Sequence, residues 1–224
     1  MHMILIFDLD DTLYPEVSYA ISGFKAVAKY IDLEYGIEEI RSMKILTFSL
    51  ETGHRNFAFQ DLITKIDLPK KILPQLISTY RNHTPKISLE PKVLKIFKAY
   101  AKFSKYLVTD GNKIVQARKI EALDLGKIMK HCFITHSYGL VASKPSIYCF
   151  EKIKKIEQAE WKDLVYVGDN PLKDFVNLNP LGVTTIRVQT GNYAHLEVSK
   201  KFDGKYTIPH IGKLEKVLDS VYGK

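Results

Sequence analysis

Apolar and polar positions fall into two alternating patterns along the chain. Short strand-like runs, rich in Ile, Val, Leu, Phe and Tyr, stand at 3–7, 106–109, 132–135, 164–167 and 183–188. The continuous ones predict strands buried on both faces, as in a parallel sheet. Between them apolar residues recur at helical spacing. Val93, Leu94, Ile96, Phe97 and Tyr100 form one such stripe, and Ile211, Leu214, Val217, Leu218 and Val221 another. Strand-like runs alternating with helical stripes predict an α/β fold, a mostly parallel sheet flanked by helices.

One region breaks the alternation. Residues 14–89 hold no convincing strand pattern, whereas Val17, Ala20, Ile21, Phe24, Val27, Ala28 and Ile31 mark an amphipathic helix that stops near Gly36. Further helical stretches are expected over 38–50, 57–66 and 70–81. Connections after a strand normally take a few residues, so an insertion of this size predicts a subdomain of its own. The expected organisation is an α/β core from 1–13 and 90–224, with a helical cap subdomain at 14–89. Open α/β sheets bind ligands at the carboxyl ends of their strands, so a cap inserted there can act as a lid.

Composition narrows the class. With 224 residues, 46% hydrophobic and 26% charged, the chain can bury a core without staples or structural metals. Its two cysteines, Cys132 and Cys149, have no metal-ligand spacing and read as reduced thiols of a reducing compartment. The apolar start ILIF is too short for a secretory signal and runs straight into acid. No run has the length to cross a bilayer, so a cytoplasmic protein is expected, with no membrane partner. The net charge is +8, but the lysines are dispersed at helical spacings and no basic stripe carries interleaved aromatics. Nucleic-acid binding is therefore not expected. Nothing in the pattern chooses between a monomer and a homodimer.

Candidate chemistry lies where the apolar runs end. ILIFDLDDTLYPE closes its run with Asp8, Asp10 and Asp11. In a strand, positions i and i+2 share a face, so Asp8 and Asp10 either share a divalent cation or form a solvated acidic turn. YLVTDGN ends in Thr109, Asp110, Gly111 and Asn112, which suit a phosphate seat at a helix N-terminus or a plain helix cap. In SKPS, Lys144 precedes a proline and so lies at an element edge, within reach of an anion. DLVYVGDNPLKDF places Asp169 after another run, with Asp174 close behind. Asp-Asn-Pro alone is a turn signal. Three strand tips carrying such groups together point to one anionic, metal-dependent site.

In order and type, DLDDT, VTDG, the lysine of SKP and GDNPLKD resemble the four motifs of the haloacid dehalogenase superfamily. The segment YRNHTP is similar to part of its helical-cap phosphatase branch. The resemblance implies a Rossmann-like core and a Mg²⁺-dependent phosphohydrolase acting on a small phosphorylated metabolite. Asp8 would be the nucleophile and Asp10 the acid and base. Mg²⁺ would be held by Asp8, the Asp10 backbone carbonyl and Asp169, with Asp174 binding or orienting its water shell. Thr109 and Lys144 would bind phosphate, with backbone donors around Leu9, Asp110 and Gly111 and with Asn112 beside them in the binding set. Arg81 and His83, in the similar cap segment, would face the leaving group, and His54 and Arg55 are added by their position after a helical run. Dehalogenases of this superfamily lack an acid two residues after the nucleophile, because halide leaves without a proton. Here Asp10 fills that position. A phosphotransferase or mutase of the same superfamily, and a non-catalytic phosphoaspartate receiver, remain the alternatives.

Overall fold

The computed structural model describes residues 2–223. Two compact units divide the chain: Met1–Glu16 with Ser88–Lys224, and Val17–Ile87.

The first unit is built on a six-stranded sheet of β1 (Ile4–Phe7), β2 (Ser104–Thr109), β3 (His131–Ile134), β4 (Leu164–Gly168), β5 (Thr184–Val188) and β6 (Tyr206–Ile208). Its spatial order is β3-β2-β1-β4-β5-β6, and every pairing is parallel. Ile4, Ile6, Tyr106, Val108, Leu164 and Tyr166 share one core cluster with Phe150 and Ile153 of the helix α7 (Tyr148–Glu157). On the opposite face Phe7 meets Phe97 of α5 (Pro91–Ala99) edge-on, 5.4 Å between ring centres. Both faces of the central strands are thus covered, so their runs are uniformly apolar rather than alternating.

Strand β1 is the fulcrum. It pairs with β2 on one side and β4 on the other, with Phe7 opposite both Leu107 and Val167. The chain builds outward through β2 and β3, then crosses back to β4. In open parallel sheets this reversal of strand order opens a crevice at the strands' carboxyl ends. Asp8 continues the ladder by one step, its N–H donating to the Val167 carbonyl at 2.9 Å.

Strand β6 was not expected. Its three residues are Tyr-Thr-Ile at the sheet margin, two of them exposed, too brief and too wet to stand out as an apolar run. Among the described residues no helix is long and apolar enough to span a membrane.

The second unit packs α1 (Glu16–Tyr35), α2 (Glu39–Glu51), α3 (Ala58–Lys65) and α4 (Leu73–Asn82) around their own core of Phe24, Val27, Ile31, Leu46, Leu62 and Leu76. Where one helix was expected over 70–81, a 3-10 turn at Lys70–Ile72 precedes α4. Pro74 fits here because the first turn of a helix needs no backbone donor.

Gly23 of α1 is where the unit is tightest. A Cβ there would lie 2.4 Å from the Tyr80 ring. That ring cannot withdraw, being packed against Tyr19, Phe24, Phe59 and His83. Alanine is the better helix former by about 1 kcal/mol, yet overpacking of this kind costs about 1–3 kcal/mol. Gly23→Ala should therefore lower the thermal midpoint, read by circular dichroism, despite its gain in helix propensity.

Candidate active site

The tips of β1, β2 and β4 deliver Asp8, Thr109 and Asp169, all buried. Lys144 arrives from the loop after β3, through a cis Lys144–Pro145 peptide. Its side chain is 1% exposed, and its ammonium makes three hydrogen bonds. It donates to Asp8 Oδ1 at 2.7 Å, Asp174 Oδ1 at 2.7 Å and Tyr166 Oη at 3.0 Å. Burial works against the lysine's charge, but Asp174 and Asp8 more than offset it, holding its pKa well above the ordinary value.

Asp174 is held on both oxygens. Oδ1 accepts from Lys144 and from the Tyr166 hydroxyl, and Oδ2 from the Asn170 N–H at 2.9 Å. It comes this close because residue 168 is glycine: a Cβ there would sit 2.5 Å from Asp174 Oδ2. Asp169 accepts a long hydrogen bond from the Thr12 hydroxyl at 3.4 Å.

One carboxylate oxygen from each of Asp8, Asp169 and Asp174 falls within 4.8 Å of the others. Burial raises the Asp8 carboxyl to about 6, with Lys144 pulling down and Asp174 pushing up. Burial raises Asp169 to about 9, with the charges of Asp8 and Asp174 adding to it. Two buried carboxyls driven toward protonation beside a third form an all-oxygen donor set short of positive charge, which suits Mg²⁺. Asp174 already has donors on both oxygens, so Asp8 and Asp169 are the better direct ligands.

Asp10 faces elsewhere. Oδ1 accepts from the Tyr14 hydroxyl and the Lys119 ammonium, each at 2.7 Å, and Oδ2 from Gln116 Nε2 at 3.0 Å. Burial would raise its pKa, but Lys119 and these hydrogen bonds leave it lowered. The two-residue alternation that would turn Asp8 and Asp10 to one ion does not reach this pair. Strand β1 ends at Phe7, and by Asp11 the backbone is left-handed at φ 55°. The Asp11 carboxylate accepts from the Glu16 N–H at 2.9 Å, at the start of α1.

The second motif divides its labour. Asp110 accepts from the Thr135 hydroxyl at 2.7 Å, the Lys144 N–H at 3.1 Å and the Lys173 ammonium at 2.8 Å. It braces the backbone that carries Lys144. Burial opposes its charge, yet Lys144 and Lys173 hold its pKa down. Gly111 has a φ of 134°. Asn112 caps the helix α6 (Lys113–Ala122), its side chain accepting from Ile114 and Val115 N–H groups.

In the helical unit, His83 is buried with both ring nitrogens engaged. Nδ1 lies 2.6 Å from the Tyr80 carbonyl and Nε2 lies 3.1 Å from the Ser22 hydroxyl. Arg55 donates to the Tyr80 hydroxyl at 3.3 Å. His54 and Arg81 are exposed. The sequence pattern did not single out Tyr14, Gln116, Lys119, Tyr166 or Lys173. Each is separated in sequence from the group it serves or looks like ordinary strand or helix filler; Tyr166, two positions before Gly168 in an apolar strand, offered the nearest hint.

A profile of the haloacid dehalogenase-like hydrolases matches residues 5–188, and the chain belongs to that family. It is 28% identical to a glyceraldehyde 3-phosphate phosphatase of Methanocaldococcus jannaschii, over 97% of this chain and 96% of that one. It is 25% identical to the protein of the same name from Pyrococcus furiosus, over 98% and 94%. Among solved structures, a 2-haloacid dehalogenase from Pseudomonas syringae superposes with a TM-score of 0.66 at 18% identity, covering 99% of this chain and 100% of that one. A HAD phosphatase from Thermococcus onnurineus gives 0.60 at 19%, covering 96% and 97%. At these identities the structures show the shared fold.

The raised carboxyls set a pH dependence. Unfolded, Asp8 and Asp169 titrate near 3.8; folded and metal-free, near 6 and 9. Between these values the folded state holds more protons, so stability is fullest at the acid end and falls as pH rises through the folded values. A metal ion held by these carboxylates would require them ionised, so adding Mg²⁺ near neutral pH should release protons. Calorimetric titration in buffers of different ionisation enthalpy reads this directly; heats independent of the buffer would show both groups already ionised.

Proposed function

We propose that the protein is a Mg²⁺-dependent phosphomonoesterase for a small phosphorylated metabolite, working through an aspartyl-phosphate on Asp8. The observation that carries this reading is the Asp8 carboxylate, fixed on one oxygen by Lys144 within a cluster of buried acids, with a second acid two residues on. An Asp8 oxygen attacks phosphorus and the bond to the leaving oxygen breaks. Asp10, ionised in the resting site, takes up a proton as the phosphate monoester monoanion binds and gives that proton to the leaving oxygen. Water then attacks the same phosphorus and passes its proton to Asp10. The acyl-phosphate bond breaks, releasing inorganic phosphate and restoring Asp8.

Thr109 and Lys144 bind phosphate oxygens, and backbone N–H groups around Asp110, Gly111 and Asn112 add donors. Asp8, Asp169 and the Asp10 carbonyl would hold Mg²⁺, with Asp174 ordering its surroundings. Bound there, the ion would neutralise phosphate charge and align the reacting group. Arg81, His54 and Arg55 are the cap side chains proposed for the leaving group. His83 also belongs to that set, with its ring nitrogens engaged in the cap. The curated relatives named for glyceraldehyde 3-phosphate match nearly the whole chain, which makes a three-carbon aldehyde phosphate the first substrate to try. The protein is proposed to work in the cytoplasm.

Hydrolysis of 4-nitrophenyl phosphate should require Mg²⁺ and fall at least about 10³-fold in Asp8→Asn. Substrate-dependent phosphorylation of the Asp8 peptide, found by mass spectrometry, is the second expected result. Undiminished turnover by Asp8→Asn would remove this mechanism. In a panel of phosphorylated metabolites, glyceraldehyde 3-phosphate should show the highest kcat/KM, and Arg81→Ala should lower that preference.

A further inference from the structure

Helix α6 buries the wrong residues for a helix that merely covers a sheet. Such a helix turns an apolar stripe inward. In α6 the buried residues are Gln116 and Lys119, one turn apart on one face, while Ile114 stands 49% exposed. Burying an amide and an ammonium is costly unless each finds partners, and both find the same one. Gln116 Nε2 donates to Asp10 Oδ2 at 3.0 Å and to the Thr109 hydroxyl at 2.6 Å. Lys119 Nζ donates to Asp10 Oδ1 at 2.7 Å and lies 3.9 Å from Glu16 Oε1. The Tyr14 hydroxyl shares Oδ1 at 2.7 Å.

We propose that Gln116 and Lys119 are positioning residues for the leaving-group acid. Together they hold both oxygens of Asp10 and tie it, through Gln116, to the hydroxyl that receives the phosphate. The inference rests on the reading of Asp10 as the group that protonates the leaving oxygen. General acid catalysis depends on where the carboxyl stands relative to the breaking bond. Asp10 lies past the end of β1, where its backbone keeps an isolated bridge to Tyr14; the underside of α6 adds the constraint on the carboxylate itself. Gln116 donates to Asp10 and Thr109, and Lys119 donates to Asp10. Their influence passes through Asp10, and through Thr109 in the case of Gln116.

Leaving-group chemistry separates this role from a purely structural one. An alkyl phosphate expels a basic alkoxide that needs the Asp10 proton, whereas 4-nitrophenolate departs as a stable anion. Wild type, Lys119→Met, Lys119→Arg, Gln116→Leu, Asp10→Asn and the Asp10→Asn/Lys119→Met double variant are compared on both esters, with folding followed by circular dichroism. Lys119→Met should lose on the order of 100-fold in kcat on the alkyl ester and less than about tenfold on the nitrophenyl ester, with Lys119→Arg recovering part of the loss. Gln116→Leu should show the same imbalance between the esters. In the double variant the lysine change should add nothing to Asp10→Asn. Equal losses on the two esters, or an additive double variant, would overturn the proposal. If Lys119→Met fails to fold, Gln116→Leu and Lys119→Arg carry the same comparison. Wild type inactive on both esters would instead overturn the phosphatase reading itself.

Discussion

The ammonium of Lys144 is the constraint on which the rest of the site depends. It is the positive charge bonded to both Asp8 and Asp174, groups that would otherwise repel across a buried gap. A lysine suits the place better than an arginine would. Its three N–H donors on one compact charge match three acceptors, Asp8, Asp174 and Tyr166. Removing one partner of such a buried pair costs about 3–5 kcal/mol, because an uncompensated charge remains.

Lys144 is in turn held from behind. Asp110 accepts the Lys144 N–H as well as Thr135 and Lys173, so the acid of the second motif orients the cation of the third. Glycine at 168 lets the acid of the fourth motif close in from the other side. Each charged group in the cluster is thereby placed by a partner from another segment of the chain, which is how loops beyond the strand tips acquire fixed positions.

Legibility in the sequence followed the same division. The central strands were readable because burial on both faces leaves an unbroken apolar run, whereas Tyr206–Ile208, pairing on one side at the margin, leaves almost none. Asp8, Thr109, Lys144 and Asp169 were readable because strand tips and a proline place them locally. The direction of Asp10 was not, since the strand period lapses at Phe7 and distant residues decide where that carboxylate turns. Gln116 and Lys119 carry no apolar signal that would mark an inward-facing side of a helix. Only the fold shows that this side faces inward.

Seating Asp8 at the tip of β1 has a consequence for how the protein fails. Parallel sheets fray from their borders, and here the borders are β3 and β6, while β1 is laddered to neighbours on both sides and wholly enclosed. Loosening that spreads inward from either rim must consume the sheet before it dislodges Asp8. Inactivation by loss of that residue's seat and collapse of the α/β unit are therefore a single cooperative event.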